Sequence, residues 1–305
     1  NDRGAGATSG GVAVTAGLPD APTIDSIAPD DSGAVISFTS GPGNGSPITS
    51  YRYIREPLSG TSATLGITGS FPDAIAVDAA GNVYTANQGS DNVSKITPDG
   101  ISTLFGATGS NPQGIALDAA GNVYTANRNS DNVSKITPDG TSTILGAAGN
   151  PIALALDTAG NVYTANDGPN NVYKITPDGI SSIFGATGSN PEGIAVDAAG
   201  NVYTANYGSD NVSIITPDGT SSILGATGIS PIGLALDTAG NVYTANNGSN
   251  NVSKITPDGT STILGATGDG PRGIAVDAAG NVYTGNRNSN NVSKITPDGT
   301  STILG

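Results

Sequence analysis

The chain has 305 residues and a net charge of −14, with only 12% charged residues and 45 glycines. It contains no Cys, His, Met or Trp, which excludes disulfides and thiol chemistry and removes the usual ligands of zinc and soft metals. The acidic balance predicts no nucleic-acid partner, and no apolar run is long enough for insertion into a membrane.

The first 60 residues form two segments of different composition. Residues 1–18 are rich in Gly, Ala, Thr and Ser, which predicts a flexible leader. Residues 19–60 predict three strands, because β-branched and aromatic residues alternate with polar ones between Pro, Gly and Asp turns. We expect these strands near Thr23–Ile27, Ala34–Thr39 and Ile48–Ile54.

Three motifs of this second segment resemble the first half of a bacterial fibronectin type III domain. They are DAPT at Asp20–Thr23, GAVISFT at Gly33–Thr39 and GSPITSYRY at Gly45–Tyr53. A complete sandwich of this kind has about seven strands, so half of one leaves a sheet edge and an apolar face without partners. We expect residues 19–60 to pack on the rest of the chain, to pair with another molecule, or to stay partly disordered.

From Pro72 to the end, one unit of about forty residues is repeated six times. The hexapeptide NVYTAN occurs five times and NVYTGN once, with first residues Asn82, Asn122, Asn161, Asn201, Asn241 and Asn281. Each unit predicts four strands, named a to d in order. In the first unit they are Ala74–Asp78, Asn82–Asn87, Asn92–Thr97 and Ile101–Phe105. We therefore predict an all-β fold, a six-bladed β-propeller of four-stranded antiparallel blades at residues 61–305.

Turn residues support the same prediction. D-A-A-G or D-T-A-G connects strand a to strand b, and P-D-G connects c to d. Both sequences are typical of a type I turn followed by glycine in the left-handed region.

The string GNVYTANxGSDNVxKITPDG resembles the NHL repeat of bacterial extracellular propellers, over residues 61–305. The resemblance implies a six-bladed propeller used for binding, and some relatives of that family are enzymes. Two positions differ from the family, which often has Asp at the place of Asn87 and Arg at the place of Asn92. We expect an amide pair there instead. The basic face of RNA-binding relatives and the His ligands of lyase-like relatives are both absent.

Variation among the six units is concentrated in the d–a and b–c connections, which propeller topology places on one rim around the central channel. Loops presented by a rigid scaffold are common binding sites, so we predict a ligand or partner site at this rim. The alternative is that these exposed turns vary in sequence without a function, because they tolerate substitution. The candidate residues are Phe71, Asp73, Gln88, Gln113, Arg128, Ile152, Asp167, Glu192, Tyr207, Ile232, Asn247, Arg272 and Arg287. They show no catalytic geometry, and no catalytic residue is predicted.

The near-constant residues of each unit are interpreted as structural. Two Asp per unit are expected to form turns, since each lies alone and not among several oxygen ligands, so no metal or other cofactor is predicted and Ca²⁺ is the alternative. Six Tyr on strand b are interpreted as packing between blades, with sugar stacking as the alternative. Five Lys on strand c are interpreted as a solvated outer stripe.

The sequence contains one more outer (d-type) strand than six blades need. TSATLG at residues 61–66 repeats the d-strand sequence TSTILG of residues 300–305, so six a–b–c sets accompany seven d-type segments. A spare strand and half a sandwich favour pairing with another molecule by strand addition, which builds a filament when the contact is head-to-tail and does not close.

These observations predict a non-enzymatic protein that acts through protein–protein contacts, with self-assembly through the N-terminal strands. The alternatives are a multivalent glycan-binding propeller and a lyase-like enzyme. The chain starts without Met or a signal peptide, which we interpret as a mature form, extracellular or on the cell surface.

Overall fold

A computed structural model describes residues 64–304 and, before them, the backbone of five strands: β1 (Gly6–Ala7), β2 (Val12–Thr15), β3 (Thr23–Asp30), β4 (Gly33–Thr39) and β5 (Arg52–Arg55). The chain divides into two units, Asn1–Ser62 and Ala63–Gly305. In the first unit, one antiparallel sheet has the order β1-β2-β5, and β3 pairs with β4 in a separate hairpin.

The strands of this first unit agree only in part with those predicted from the sequence. The strands expected near Thr23 and Ala34 are present, and the third lies at Arg52–Arg55. Strands β1 and β2 fall within residues 1–18, where no strand was predicted. The likeness to a fibronectin type III domain is not confirmed. Strand addition by residues 19–60 depends on side chains outside the described residues, so it stays a prediction.

The second unit consists of six four-stranded antiparallel sheets, each in the strand order a-b-c-d, so the predicted all-β six-bladed propeller is confirmed. Blade 1 contains β6 (Pro72–Val77), β7 (Val83–Asn87), β8 (Asn92–Ile96) and β9 (Ser102–Ala107). Blade 2 contains β10 (Pro112–Leu117), β11 (Val123–Asn127), β12 (Asn132–Ile136) and β13 (Ser142–Ala147). Blade 3 contains β14 (Pro151–Leu156), β15 (Val162–Asn166), β16 (Asn171–Ile175) and β17 (Ser181–Ala186).

The remaining three blades repeat this arrangement. Blade 4 contains β18 (Pro191–Val196), β19 (Val202–Asn206), β20 (Asn211–Ile215) and β21 (Ser221–Ala226). Blade 5 contains β22 (Pro231–Leu236), β23 (Val242–Asn246), β24 (Asn251–Ile255) and β25 (Ser261–Ala266). Blade 6 contains β26 (Pro271–Val276), β27 (Val282–Asn286), β28 (Asn291–Ile295) and the short β29 (Ser301–Ile303). One 3₁₀ turn, Arg128–Ser130, follows β11. No helix within the described residues has the length and apolar character needed to cross a membrane.

The turns form as the sequence predicts. Gly81 and Gly100 have φ values of 82° and 86°, in the left-handed region that glycine adopts without a steric cost. Their N–H groups donate to the carbonyl oxygens of Asp78 and Thr97, at 3.0 and 2.8 Å, and so close the two turns of blade 1. Short local signals therefore determine where each strand ends.

The predicted amide pair is also present. Asn87 Nδ2 donates to Asn92 Oδ1 at 2.7 Å and to Ser94 Oγ at 2.9 Å, while Asn87 Oδ1 accepts from Thr85 Oγ1 at 3.0 Å. Asn87 is completely buried, and these bonds satisfy its side chain. A neutral network therefore connects strands b and c.

The hydrophobic core lies between successive blades. Tyr124 and Val133 of blade 2, for example, pack against Leu154, Val162 and Ile175 of blade 3. Four equivalent clusters join blades 1 and 2, 3 and 4, 4 and 5, and 5 and 6. Each cluster takes the Tyr of strand b and the Val of strand c from one blade and the facing Val and Ile from the next. The tyrosine packing layer is therefore confirmed for five of the six Tyr, and Tyr283 of blade 6 is the exception.

The strand-c lysines, expected to form a solvated stripe, are partly exposed and lie over tyrosine rings. Lys135 Nζ lies 5.6 Å from the centroid of the Tyr124 ring, and Lys174, Lys95, Lys254 and Lys294 are placed similarly over their own blades' Tyr rings. This contact was not predicted, although Lys and Tyr are cross-strand partners, as in the Tyr124–Lys135 pair. Each ammonium therefore lies where a cation–π contact is favourable.

The interface between blade 6 and blade 1 differs from the other five. Inner strands of successive blades pack together from β6 to β26, but β26 and β6 do not pack on each other in this way within residues 64–304. Ile75 and Val77 on blade 1 are 66% and 59% exposed, and Val292 on blade 6 is 39% exposed. The five residues equivalent to Val292 are completely buried. We call this opening between blades 6 and 1 the seam.

Candidate functional site

The central channel forms a cavity of about 1170 Å³. Residues from the inner strands of all six blades line it, among them Ala74, Gly114, Leu154, Ile194 and Leu234. Tyr283, Thr284, Gly285 and Val292, from the second and third strands of blade 6, line it too. The channel therefore extends sideways into the seam.

The d–a and b–c connections lie together on one rim of this channel, as expected. In blade 1 the N–H groups of Gln88 and Gly89 donate to the carbonyl oxygens of Phe71 and Ser70, both at 2.9 Å. In blade 2 the Arg128 N–H donates to the Asn111 carbonyl at 3.0 Å. The two most variable parts of each unit are thus joined into one surface, which we call the variable rim.

Most of the predicted site residues border the channel. Ten line the cavity: Phe71, Asp73, Gln88, Gln113, Arg128, Ile152, Glu192, Ile232, Arg272 and Arg287. The other three lie on the same rim outside the lining. Asp167 accepts a hydrogen bond from Arg128, Asn247 Nδ2 donates to the Pro271 carbonyl at 3.4 Å, and Tyr207 is 40% exposed.

Charged side chains are distributed unevenly over the propeller. Residues 64–304 contain three arginines and one glutamate, Arg128, Arg272, Arg287 and Glu192, and all four line the channel. The six copies of the repeat are otherwise nearly the same. The variable rim is therefore the place where this propeller departs most from its own symmetry.

Two ion pairs connect different blades across the rim. Arg128 Nη2 lies 2.7 Å from Asp167 Oδ2, and Arg128 Nε donates to Asn150 Oδ1 at 3.1 Å. The other oxygen of Asp167 accepts from Asn190 Nδ2 at 2.8 Å, so blades 2, 3 and 4 are linked. Arg272 Nη1 lies 4.0 Å from Asp73 Oδ1 on the far side of the seam. Both pairs are partly exposed, so each contributes little to stability.

Glu192 lies half-buried among these charges. Burial raises the pKa of its carboxyl, Arg272 and Arg128 lower it, and Asp167 and Asp73 raise it. The net direction is upward, because removal from water disfavours the charged form more than the arginines favour it. The channel therefore holds a carboxylate that would gain from a cationic or hydrogen-bond-donating ligand.

Phe71 has an unusual backbone conformation. Its φ is 50°, and its side chain is 76% exposed at the rim. The equivalent positions carry Asn111, Asn150, Asn190, Ser230 and Gly270, and all have positive φ as well. Asn and Gly adopt this region readily, whereas a bulky aromatic residue is an outlier there. The sequence contained this signal, because Phe occupies a place where the other units have small or polar residues.

The opposite face of the propeller is built from structural hydrogen bonds. Asp78 Oδ1 accepts from the backbone N–H groups of Ala80 and Asn82 at 3.0 and 2.8 Å, and Asp78 Oδ2 accepts from the Tyr84 hydroxyl at 3.2 Å. The same pattern recurs in every blade, so this Asp shapes the turn and anchors the Tyr. Within residues 64–304, no group of three acidic side chains is arranged to hold a metal ion. Five of the six Tyr rings are nearly buried, which leaves no row of open clefts for sugar stacking.

Residues on the seam were not predicted as functional. They include Ile75 and Val77 on blade 1 and Tyr283, Gly285 and Val292 on blade 6. One sequence signal was available. The sixth unit reads NVYTGN, with Gly285 at a position where the other five units have an alanine that is completely buried.

Comparisons with known proteins show the fold and no family. Neither a protein-family model nor a curated protein sequence matches the chain. Among solved structures, a streptogramin B lyase matches with a TM-score of 0.69 and 15% identity, covering 78% of this chain and 84% of that one. A gluconolactonase from Xanthomonas campestris matches with a TM-score of 0.57 and 17% identity, covering 72% and 84%. A nidogen/laminin complex matches with a TM-score of 0.57 and 20% identity, covering 68% and 86%.

These similarities correct one prediction. The chain was predicted not to be an enzyme, and this is wrong as an inference from the fold, because the similar structures include a lyase and a lactonase. Their identities of 15% and 17% establish common architecture and carry neither activity over to this chain. What the comparisons support is the β-propeller fold, which is found both in enzymes and in a protein–protein complex.

Proposed function

We propose that this propeller is a binding protein and that it recognises a protein partner at the variable rim. The observation that carries the proposal is the collection of all three arginines and the one glutamate of residues 64–304 around a single channel. Protein interfaces are enriched in Arg and in aromatic side chains, and the exposed aromatic residues Phe71 and Tyr207 flank these charges. The partner would place a loop in the channel mouth, with a cationic or amide group near Glu192.

Two further considerations support this proposal. The nidogen/laminin complex is an example of a similar fold in a protein–protein complex. The positive φ of Phe71 costs about 1 kcal/mol for an L-residue with a large side chain, and such strain is often retained at functional positions. The sequence resemblance to extracellular NHL propellers supports an extracellular or cell-surface location as part of the proposal.

An enzyme that uses the same channel is the second candidate, and the lyase and lactonase folds are the observation in its favour. It is not better supported than binding. Glu192 is the only half-buried acid in the channel with a raised pKa among the described residues, and one such group does not define a reaction.

A peptide library displayed on phage would test the binding proposal. Selected peptides should bind the full chain, and Phe71→Asn or Arg287→Ser should weaken that binding by about tenfold or more. Asn tolerates the positive φ at this position, as it does at Asn111, so Phe71→Asn should also be slightly more stable than the wild type. Asp218→Asn, in a c–d turn on the opposite face, is the matched control and should leave binding unchanged. Peptides that bind both rim variants as well as the wild type would place the site elsewhere.

A further inference from the structure

The second residue of every inner strand lies at the wall of the central channel. In each blade the pairing of strands a and b shifts register at this residue, as it does at Glu192 between Pro191 and Gly193. A β-bulge of this kind re-aims the side chain of the extra residue. The six side chains therefore form one ring, which we call the bulge ring. Its members are Asp73, Gln113, Ile152, Glu192, Ile232 and Arg272, and all of them line the cavity.

Glu192 lies between two isoleucines in the bulge ring. Its strand β18 packs between β14, which carries Ile152, and β22, which carries Ile232. The approach to blade 5 is close, because a Cβ added to Gly193 would meet the carbonyl oxygen of Ile232. The Glu192 carboxylate therefore has an apolar neighbour on each side, in keeping with the burial that raises its pKa.

No residue in the described part of the propeller donates a hydrogen bond to the Glu192 carboxylate or forms an ion pair with it. The charges that act on it belong to Arg272, Asp167, Arg128 and Asp73. Each of these arginines already has an acid of its own, Arg128 with Asp167 at 2.7 Å and Arg272 with Asp73 at 4.0 Å. Three carboxylates and two guanidinium groups leave one negative charge, so a cation beside Glu192 would be compensated. A half-buried carboxylate without a donor gains free energy when a ligand supplies one.

We propose that this part of the channel is a binding pocket for an arginine side chain, which a partner protein inserts between Ile152 and Ile232 to reach Glu192. The isoleucines suit the methylene stem of an arginine, and its guanidinium group supplies the donors that the carboxylate lacks. Arginine fits better than lysine, because a guanidinium is less strongly hydrated than an ammonium and binds a carboxylate through two parallel hydrogen bonds. The cavity of about 1170 Å³ leaves room for the loop that carries the arginine. This inference rests on the function proposed for the variable rim, since it names what the partner inserts.

Nuclear magnetic resonance can observe the proposed contact directly, because Glu56 and Glu192 are the only glutamates of the sequence. Carbon-13 labelling of the glutamate carboxyl groups in the full chain gives one signal for each, and the variant Glu56→Gln assigns them. The probe is the blocked peptide acetyl-Gly-Arg-Gly-amide. Its control is the same peptide with citrulline, which has nearly the shape of arginine and no charge. The arginine peptide should shift the Glu192 signal with saturation, and the citrulline peptide should bind about tenfold more weakly or less.

Two variants that each remove one negative charge complete the test. Glu192→Gln keeps the shape of the side chain and should weaken binding of the arginine peptide by about tenfold or more. The backbone amide signals of Gly193 and Ile232 report binding to this variant, and the amide signals of the other blades show that it is folded. The matched control is Asp218→Asn, in a c–d turn on the opposite face, which should bind the peptide as the wild type does.

Several results would overturn the proposal. They are a Glu192 signal that the arginine peptide does not shift, equal affinity for the citrulline peptide, and unchanged binding by Glu192→Gln. A lysine peptide that bound as tightly would overturn the assignment to arginine, because the site would then recognise charge alone.

Failure of this inference can be told apart from failure of the function proposed for the variable rim. Peptides selected on phage whose binding depends on Phe71 and Arg287 but not on Glu192 would keep the rim as the interface and reject the arginine pocket. An arginine peptide that binds at Glu192, together with selected peptides that bind both rim variants as well as the wild type, would keep the pocket and reject the rim.

Discussion

The hydroxyl of Tyr163 donates a 3.1 Å hydrogen bond to Asp157 Oδ2, which also accepts from Asn161 Nδ2 at 2.7 Å. Burial by itself would raise the pKa of the Asp157 carboxyl, but the donors of Asn161, Tyr163 and Ala159 hold it below its ordinary value. Burial raises the pKa of Tyr163 to about 12, with a further contribution from the Asp157 charge. A turn residue and a core residue are thus one hydrogen-bonded unit.

Replacing Tyr163 with Phe should lower the free energy of unfolding by about 1 kcal/mol near neutral pH. The depressed pKa of Asp157 in the folded state stabilises the protein above the unfolded-state pKa of about 3.9, and this contribution is lost as the pH falls through the folded-state pKa. The deficit of Tyr163→Phe should therefore shrink in acid. Urea titrations at several pH values measure it.

The same blade offers a control for this prediction. Tyr173 lies on the neighbouring strand β16, and its hydroxyl makes no hydrogen bond within the described residues. Tyr173→Phe should change the stability little at any pH. A deficit for Tyr163→Phe that is the same at every pH, or that Tyr173→Phe shares, would contradict the role assigned to the Asp157–Tyr163 bond.

At the scale of the strand, one position of the inner strand lies close to the next blade, and it carries alanine in blades 1 and 3 and glycine in the other four. Gly114 and Gly273 occupy equivalent positions on β10 and β26, and neither has a positive φ, so alanine is allowed by the backbone at both. Only Gly114 faces another blade, at Ala153. Comparing the change in stability caused by glycine-to-alanine substitution at these two positions therefore separates the cost of packing against another blade from the intrinsic preference of alanine for a strand.

Gly114→Ala is expected to destabilise the protein by about 1–3 kcal/mol, because the added methyl group forces blades 2 and 3 apart. Gly273→Ala should stay within about 0.5 kcal/mol of the wild type in dilute solution. Thermal or urea unfolding of the two variants tests this. Equal destabilisation by both substitutions would show that blade 6 already packs against another blade in the isolated molecule.

A structural feature could be predicted from the sequence when the residues that form it are close in sequence or opposite each other in register. The turns at Gly81 and Gly100 and the Asn87–Asn92 pair depend on residues close in sequence or opposite in register, and all were predicted. The position of Lys135 over Tyr124 was missed, although both residues belong to the predicted strands. The placement of residues on the variable rim followed from topology. The raised pKa of Glu192 arises first from its burial in the assembled channel, and charges from four other blades modify it, so local sequence does not reveal it.

At the scale of the whole molecule, the seam could not be predicted from the pattern of residues. Whether six blades close depends on the angle between neighbours, summed over five interfaces, and no local motif encodes that sum. The count of seven d-type segments indicated an irregularity. Only the structure shows that blades 6 and 1 do not pack on each other as the other blades do, with Gly285 in place of a buried alanine.

An open seam also predicts how stability varies around the propeller. Opening a central blade breaks two interfaces, whereas opening blade 1 or blade 6 breaks only one, and the sequences are nearly the same in all six. Amide protons of blades 3 and 4 should therefore exchange more slowly than those of blades 1 and 6, with the outer half of blade 6 fastest because β29 is short. A closed ring would protect all six blades equally.

Hydrogen exchange measured by mass spectrometry can resolve this, since the sequence across the b–c connection differs between blades. Four blades carry a residue of their own there, Gln88, Asp167, Tyr207 or Asn247, and Gly285 distinguishes the two blades that carry Arg128 and Arg287. Equal exchange in all six blades would contradict this prediction.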